Sequence, residues 1–217
     1  MVTFPLLPTS IPTSIRKALR IGAVAMLLSV GACASLAPPG ATQAPAGQAA
    51  RYHETIDLKG RLSLRYERNG KEESIHGSFE WAQTPRHIAL ALLSPLGQTL
   101  AAVEIAPGAA TLTQANQPPR SAADADTLIA DALGWPLPVS GLRDWLQGFA
   151  ADASGKHILA APQAGDAVTT QDGWRLHYVS WESDGAARRP KRIDLDRYTA
   201  QAGQVSVRIV IDEWQAH

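Results

Sequence analysis

Three stretches of this 217-residue chain alternate apolar and polar side chains with a period of two. LKGRLSLRY places Leu58, Leu62, Leu64 and Tyr66 on one side, with Arg61, Ser63 and Arg65 on the other. SIHGSFEWA opposes Ile75, Gly77, Phe79 and Trp81 to Ser74, His76, Ser78 and Glu80, and QVSVRIVIDEW puts Val205, Val207, Ile209 and Ile211 on one face. Successive side chains point to opposite faces only in an extended strand, so each stretch predicts a strand with one dry and one wet face. A sheet built from such strands has to cover its dry side, and an antiparallel sheet does so by curling around it.

The connections suit that geometry. Asn69 and Gly70 between the first two strands are a hairpin signal. HIALALL, with Ile88 and Leu90, and QTLAAVEI, with Val103 and Ile105, flank the turn SPLG, and AATLTQ makes a fifth strand of an antiparallel meander. The period then changes. Asp124 or Asp126 is placed to cap a helix carrying Leu128, Ile129 and Leu133 that ends at Gly134 and Pro136. A second helix from about Val139 or Ser140 lines up Leu142, Trp145, Leu146 and Phe149. After a loop over about 150–172, GWRLHYVSW, with Trp174, Leu176 and Tyr178 on one face, KRIDLDR and QVSVRIVIDEW return to strand. The fold class is mainly β with inserted helices (α+β): a strongly curved, incompletely closed antiparallel barrel with a helical plug.

Before this domain the composition is different. Arg16, Lys17 and Arg20 precede the apolar run IGAVAMLLSV at 21–30, and the small residues Gly31 and Ala32 lead to Cys33. This reads as an export signal over 1–32. Ten residues rise about 15 Å as a helix, half of a hydrocarbon core of roughly 30 Å, so the run is too short to span. Cys33 is the only cysteine, which rules out an internal disulfide, and its setting resembles a bacterial lipobox, whose thiol is acylated, the alternative being ordinary signal cleavage beside an incidental cysteine. Ala34 and Ser35 follow it rather than an aspartate, which favours the outer membrane, with the domain on the periplasmic face. Residues 33–50, the lipidated cysteine and an uncharged Ala/Pro/Gly/Gln tether, carry too little apolar surface to fold, so the domain begins at 51 and runs to 217. Loss of 1–32 turns a balance of 20 basic and 20 acidic residues into 17 against 20, a formal charge of −3, so attachment is expected from acyl chains rather than from charge.

No catalytic pattern stands out: there is no G-x-S-x-G elbow, no H-E-x-x-H and no phosphate loop. The six histidines have no ligand spacing, and no run of basic residues marks a nucleic-acid surface. No enzyme activity, cofactor, metal or nucleic-acid partner is expected. What remains is apolar. The inward stripes and six tryptophans fit a filled core or a hollow one, since both have the same periodicity. Leu96, between Pro95 and Gly97, is either exposed at a hairpin tip or folded back onto it.

An ordered set of short motifs narrows these alternatives. GRLSL (60–64), FEWAQ (79–83), LLSPLGQT (92–99), DAD (124–126), GWPLPV (134–139), LRDWLQG (142–148), WRLHY (174–178) and IDEW (211–214), behind the lipobox, resemble the LolA/LolB-like lipoprotein-localization family in its outer-membrane receptor branch. The resemblance covers about residues 55–215. It implies an unclosed barrel of about eleven strands with helices in its mouth and a cavity for acyl chains. It further implies acylated lipoprotein cargo received from a LolA-like periplasmic carrier and placed among the phospholipids of the inner leaflet of the outer membrane. Pro95, Leu96 and Gly97 match the family's membrane-inserting loop. With a cavity implied, the inward registers name its lining: Leu62, Leu64, Phe79, Trp81, Ile88, Leu90, Val103, Ile105, Leu128, Leu133, Leu142, Trp145, Leu146, Trp174, Tyr178, Val207 and Ile209. A monomer is expected. The competing readings are an assembly lipoprotein with a solid core that binds protein partners, and a lipocalin-like carrier of a small apolar ligand.

Overall fold

The computed structural model describes residues 51–159, 167–184 and 187–217. The export signal, Cys33 and the tether lie outside the described residues.

The long alternating stretches form long strands: β1 (Ile56–Arg68), β2 (Lys71–Gln83), β3 (Ile88–Leu93), β4 (Thr99–Ala106) and β5 (Ala109–Gln114) make the expected meander. A short strand β6 (Arg120–Ala122) follows. Next come helices α1 (Ala125–Leu133) and α2 (Val139–Trp145), then β7 (Phe149–Ala151), β8 (His157–Leu159), β9 (Val168–Thr169), β10 (Arg175–Asp184), β11 (Ala187–Thr199) and β12 (Gly203–Ala216). Ten strands form one antiparallel sheet in the order β6-β5-β4-β3-β2-β1-β12-β11-β10-β9, and β7 pairs with β8 separately. The sheet is an incompletely closed barrel, with β6 and β9 as its two edges. The expected loop over 150–172 instead holds β7, β8 and β9, two or three residues each. Strands that short show no readable alternation.

Pairing of β1 with β12, from Ile56↔Ala216 to Arg65↔Ser206, joins the first and last strands of the domain. Arginines and aspartates decorate the outer face: Arg61 meets Asp212 at 2.8 Å, and Arg175 meets Asp196 at 2.7 Å. Such exposed pairs contribute little individually, and they mark the side that faces water. The inner face is apolar. One end of the barrel is packed shut by Ile56, Leu58, Ile88 and Ile211, all buried. The chain enters β1 at that end, while the turns of β1–β2, β3–β4 and β11–β12 leave the other.

The helices sit as their caps dictate. The Asp124 carboxylate accepts the Thr127 N–H at 2.8 Å, and α1 stops at Gly134, whose φ of 83° ends the helix. Asp126, the other capping candidate, instead accepts the backbone N–H and the hydroxyl of Ser140, tying α1 to the start of α2. Helix α1 packs on β5 and β6, and α2 on α1 and β7.

Gly60 sets how closely β1 lies against its neighbours. A Cβ there would stand 2.1 Å from the Val210 carbonyl oxygen and 2.6 Å from the Phe79 ring, at the irregularity where the β1–β12 register shifts. Gly60→Ala is expected to destabilise the protein by about 1–3 kcal/mol, read as a lower urea midpoint with an unchanged slope. An unchanged midpoint would show that the strands yield freely.

Candidate functional site

Between the curled sheet and the two helices lies a cavity of about 250 Å³. Strands β1 to β5 contribute one wall, β11 and β12 another, and α1, α2 and the Leu137–Pro138 link form the cover. None of its described lining residues is charged, and Gln114 supplies the one amide. Close-packed cores leave few voids larger than a water molecule, so a space of this size is a feature of the fold. Trp174, in its wall, is fully buried, and its indole N–H has no partner among the described residues.

Thirteen of the residues named from the alternation line this cavity: Leu62, Leu64, Phe79, Trp81, Leu90, Val103, Leu133, Leu142, Trp145, Leu146, Trp174, Val207 and Ile209. Four do not. Ile88 and Ile105 face each other across β3 and β4 toward the packed end, beyond the floor of the hollow. Leu128 is buried but does not line the space; its neighbour Ile129 and then Ala132 and Leu133 take the cavity side. Tyr178 packs behind α2, where its hydroxyl donates to the Trp145 carbonyl at 3.1 Å and its ring stacks on Trp181. Burial, with Asp144 adding to it, pushes the Tyr178 phenol well above its ordinary pKa, so it stays a donor. Residues that the alternation reading did not name also line the space. Ile75, Leu92 and Leu112 continue its registers, and Ile129 and Ala132 follow from helical spacing. Leu100 could not be found that way: simple alternation places it outside.

A polar network holds α2 in position from its outer side. The Arg143 guanidinium donates to the Tyr52 hydroxyl at 3.0 Å, the Thr84 carbonyl at 3.0 Å and the Glu54 carboxylate at 2.7 Å. Gln147 is buried; its amide donates to the His53 carbonyl and its carbonyl accepts the His53 N–H. Gln83 reaches Tyr52 and His53 from β2 and accepts the Trp81 indole N–H. Thus α2 shows Leu142, Trp145 and Leu146 to the cavity and is fastened behind by the segment just before β1.

Leu96 stands at the β3–β4 tip. The Gly97 N–H donates to the Ser94 carbonyl at 2.9 Å, closing a turn with Pro95 second and Leu96 third, and Gly97 takes a φ of 78°. The Ser94 hydroxyl accepts from the N–H groups of Leu96 and Gln98. Backbone and Ser94 thus hold the turn without using the leucine side chain, which is 88% exposed. It is not folded back. Among the described residues no three His, Cys, Asp or Glu side chains are grouped to hold a metal, and no helix is long and apolar enough to cross a membrane.

Comparison with known proteins bears on the same region. The family described as "Outer membrane lipoprotein LolB" matches residues 54–214. A protein named outer-membrane lipoprotein LolB from Cupriavidus necator is 44% identical over 185 residues, covering 85% of this chain and 90% of its own length. Proteins of that name from Ralstonia nicotianae (41%, covering 90% and 95%) and Bordetella pertussis (34%, covering 80% and 86%) are also similar. A solved LolA superfamily protein from Nitrosomonas europaea covers 79% of this chain and 90% of its own at 8% identity and a TM-score of 0.46.

Removing the Arg143 fork should loosen α2. Arg143→Met is expected to lower stability by about 1.5–3 kcal/mol, as for a hydrogen bond to a charged group, with amides of α2 losing exchange protection before those of β1. Equal loss of protection in both elements would contradict a local fastening.

Proposed function

This chain belongs to the LolB family of outer-membrane lipoproteins, receptors of the lipoprotein-localization pathway, and from that premise we propose that the apolar cavity shelters the acyl chains of lipoprotein cargo. In this reading the cargo arrives from a LolA-like periplasmic carrier and leaves for the inner leaflet of the outer membrane. The acylated Cys33 anchors the receptor there, and residues 34–50 tether the domain to it. The observation that carries the proposal is an uncharged hollow inside the barrel, where a solid-core assembly protein would be filled.

Each buried methylene contributes about 0.8 kcal/mol against water, so even part of one acyl chain gains substantially by entering. About 250 Å³ exceeds a benzene-sized cavity of 150 Å³ and falls short of a drug-sized pocket of about 300–1,000 Å³. It suits part of one chain. Holding more requires the cover of α1 and α2 to shift outward. Full burial of Leu96 in a bilayer contributes about 1.5–3 kcal/mol, too little to anchor a protein and suited to brief contact. The tip therefore meets the membrane while the cavity holds the load.

The test uses the full-length protein and a dansyl-labelled triacylated lipopeptide. Excitation of Trp81, Trp145 and Trp174 in the cavity wall is expected to transfer energy to the bound dansyl group. No binding would sink the proposal, and binding of a fatty-acid probe alone would favour the lipocalin-like reading. For Leu96→Glu, lipopeptide binding should persist while passage to phosphatidylethanolamine/phosphatidylglycerol vesicles falls about tenfold or more, the equivalent of one lost leucine contact. Passage at the wild-type rate would remove the tip from the mechanism.

A further inference from the structure

We infer that Leu100 is the sill over which an acyl chain leaves the cavity toward the β3–β4 tip, an assignment that rests on the acyl-shelter reading above. Three observations lead there. The first is a gradient of burial along β2, β3 and β4. Trp81 and Phe79 on β2 are buried and Ile75 only partly so; Ile88 on β3 is buried while Leu90 and Leu92 are partly open; on β4 the series runs from buried Val103 through Ala101 to Leu100, which is 40% exposed. On these three strands the cavity is therefore shut at the end where the chain enters and opens at the end that carries Leu96, whereas Leu64 and Tyr66 on β1 and Val205 on β12 stay buried at that end.

The second is a register break. Leu92 pairs with Ala101 and Leu93 with Thr99, so Leu100 has no partner on β3. It is the extra residue of a bulge. On an unbroken strand Leu100 and Ala101 would face opposite sides, yet both line the cavity. On the other edge of β4, Leu100 keeps its place by accepting the Ala115 N–H at 3.3 Å. The bulge turns a leucine that alternation would leave in solvent to the mouth of the hollow.

The third is position. Leu92 lies beside the bulge on β3, and the turn bearing Leu96 begins two residues further along. On the neighbouring strand β5 the lining side chain is Gln114, paired with Ala101. The lip of the cavity is thus apolar at Leu92 and Leu100 and polar one strand further on, at Gln114. Each methylene that must cross a wet gap slows transfer about fourfold, so a chain moving out over Leu92 and Leu100 toward Leu96 has the faster route.

Full-length protein loaded with the dansyl triacylated lipopeptide is mixed with phosphatidylethanolamine/phosphatidylglycerol vesicles, and release is followed by stopped-flow fluorescence beside equilibrium binding. Leu100→Gln is expected to slow release about fifteenfold, as for roughly two methylenes crossing water, while weakening binding less than about threefold because the position is half open already. Leu100→Met should release at nearly the wild-type rate. Adding Gln114→Leu to Leu100→Gln should restore most of the rate by supplying an apolar lip from the next strand. Wild-type release by Leu100→Gln, equal losses of rate and affinity, or no rescue by Gln114→Leu would overturn the assignment while leaving the acyl-shelter reading intact. Unfolding midpoints report whether Leu100→Gln is folded; if it is not, slow release by a folded Leu100→Ser carries the test and a wild-type rate there overturns the assignment. A wild-type protein that binds no lipopeptide would instead defeat the reading beneath it.

Discussion

The antiparallel pairing of β1 with β12 is the interaction on which the remaining structure depends. It joins the meander β1–β6 to the strands that follow the helices, converting two groups of one-sided strands into a single wall. Each strand turns its apolar face inward, and helix α1 packs on β5 and the edge strand β6. A sheet curled this far encloses more volume than its own side chains fill. Gly60 belongs to the same joint, because its missing side chain leaves room for the Val210 carbonyl and the Phe79 ring.

A hollow core is less stable than a filled one, since lining atoms without neighbours lose dispersion contacts. The structure confines that loss. The floor is packed by Ile56, Leu58, Ile88 and Ile211, and the cover is fastened by polar groups that stand outside the cavity. Arg143 and Gln147 hold α2 to residues 52–54 without introducing a charge into the lining. Stability and ligand space are thus assigned to different faces of one short helix. The division keeps the cavity wall apolar while the helix stays fastened.

The two membrane contacts of the reading are likewise separated. The domain begins at the packed end of the barrel, whereas Leu96 and the partly open walls lie at the other. Under the proposed function, cargo release and receptor anchoring call on different ends of the domain. In the same proposal, a single exposed leucine on this turn gives only weak contact with lipid, so the tip can come away after each delivery.

Alternation along β1, β2 and β12, the Asn69–Gly70 turn, a capping aspartate at 124 or 126 and the stop at Gly134 are local effects, and each was legible in the amino-acid order because a strand or helix imposes its own short period. The apolar register likewise named most of the lining, and the Pro95–Gly97 frame placed Leu96 on a turn. Whether the interior was filled was not legible, because an inward stripe is the same around a core or a cavity. Tertiary packing decided that, and it also removed Ile88, Ile105, Leu128 and Tyr178 from the wall, since depth along a strand and rotation about a helix axis depend on what lies opposite. It turned Leu100 inward through a bulge that exists only in the pairing of β4 with β3. The sequence by itself determined which faces are dry; only the folded chain decided where the dry faces fail to meet, because a void is a property of surfaces brought together from distant parts of the chain.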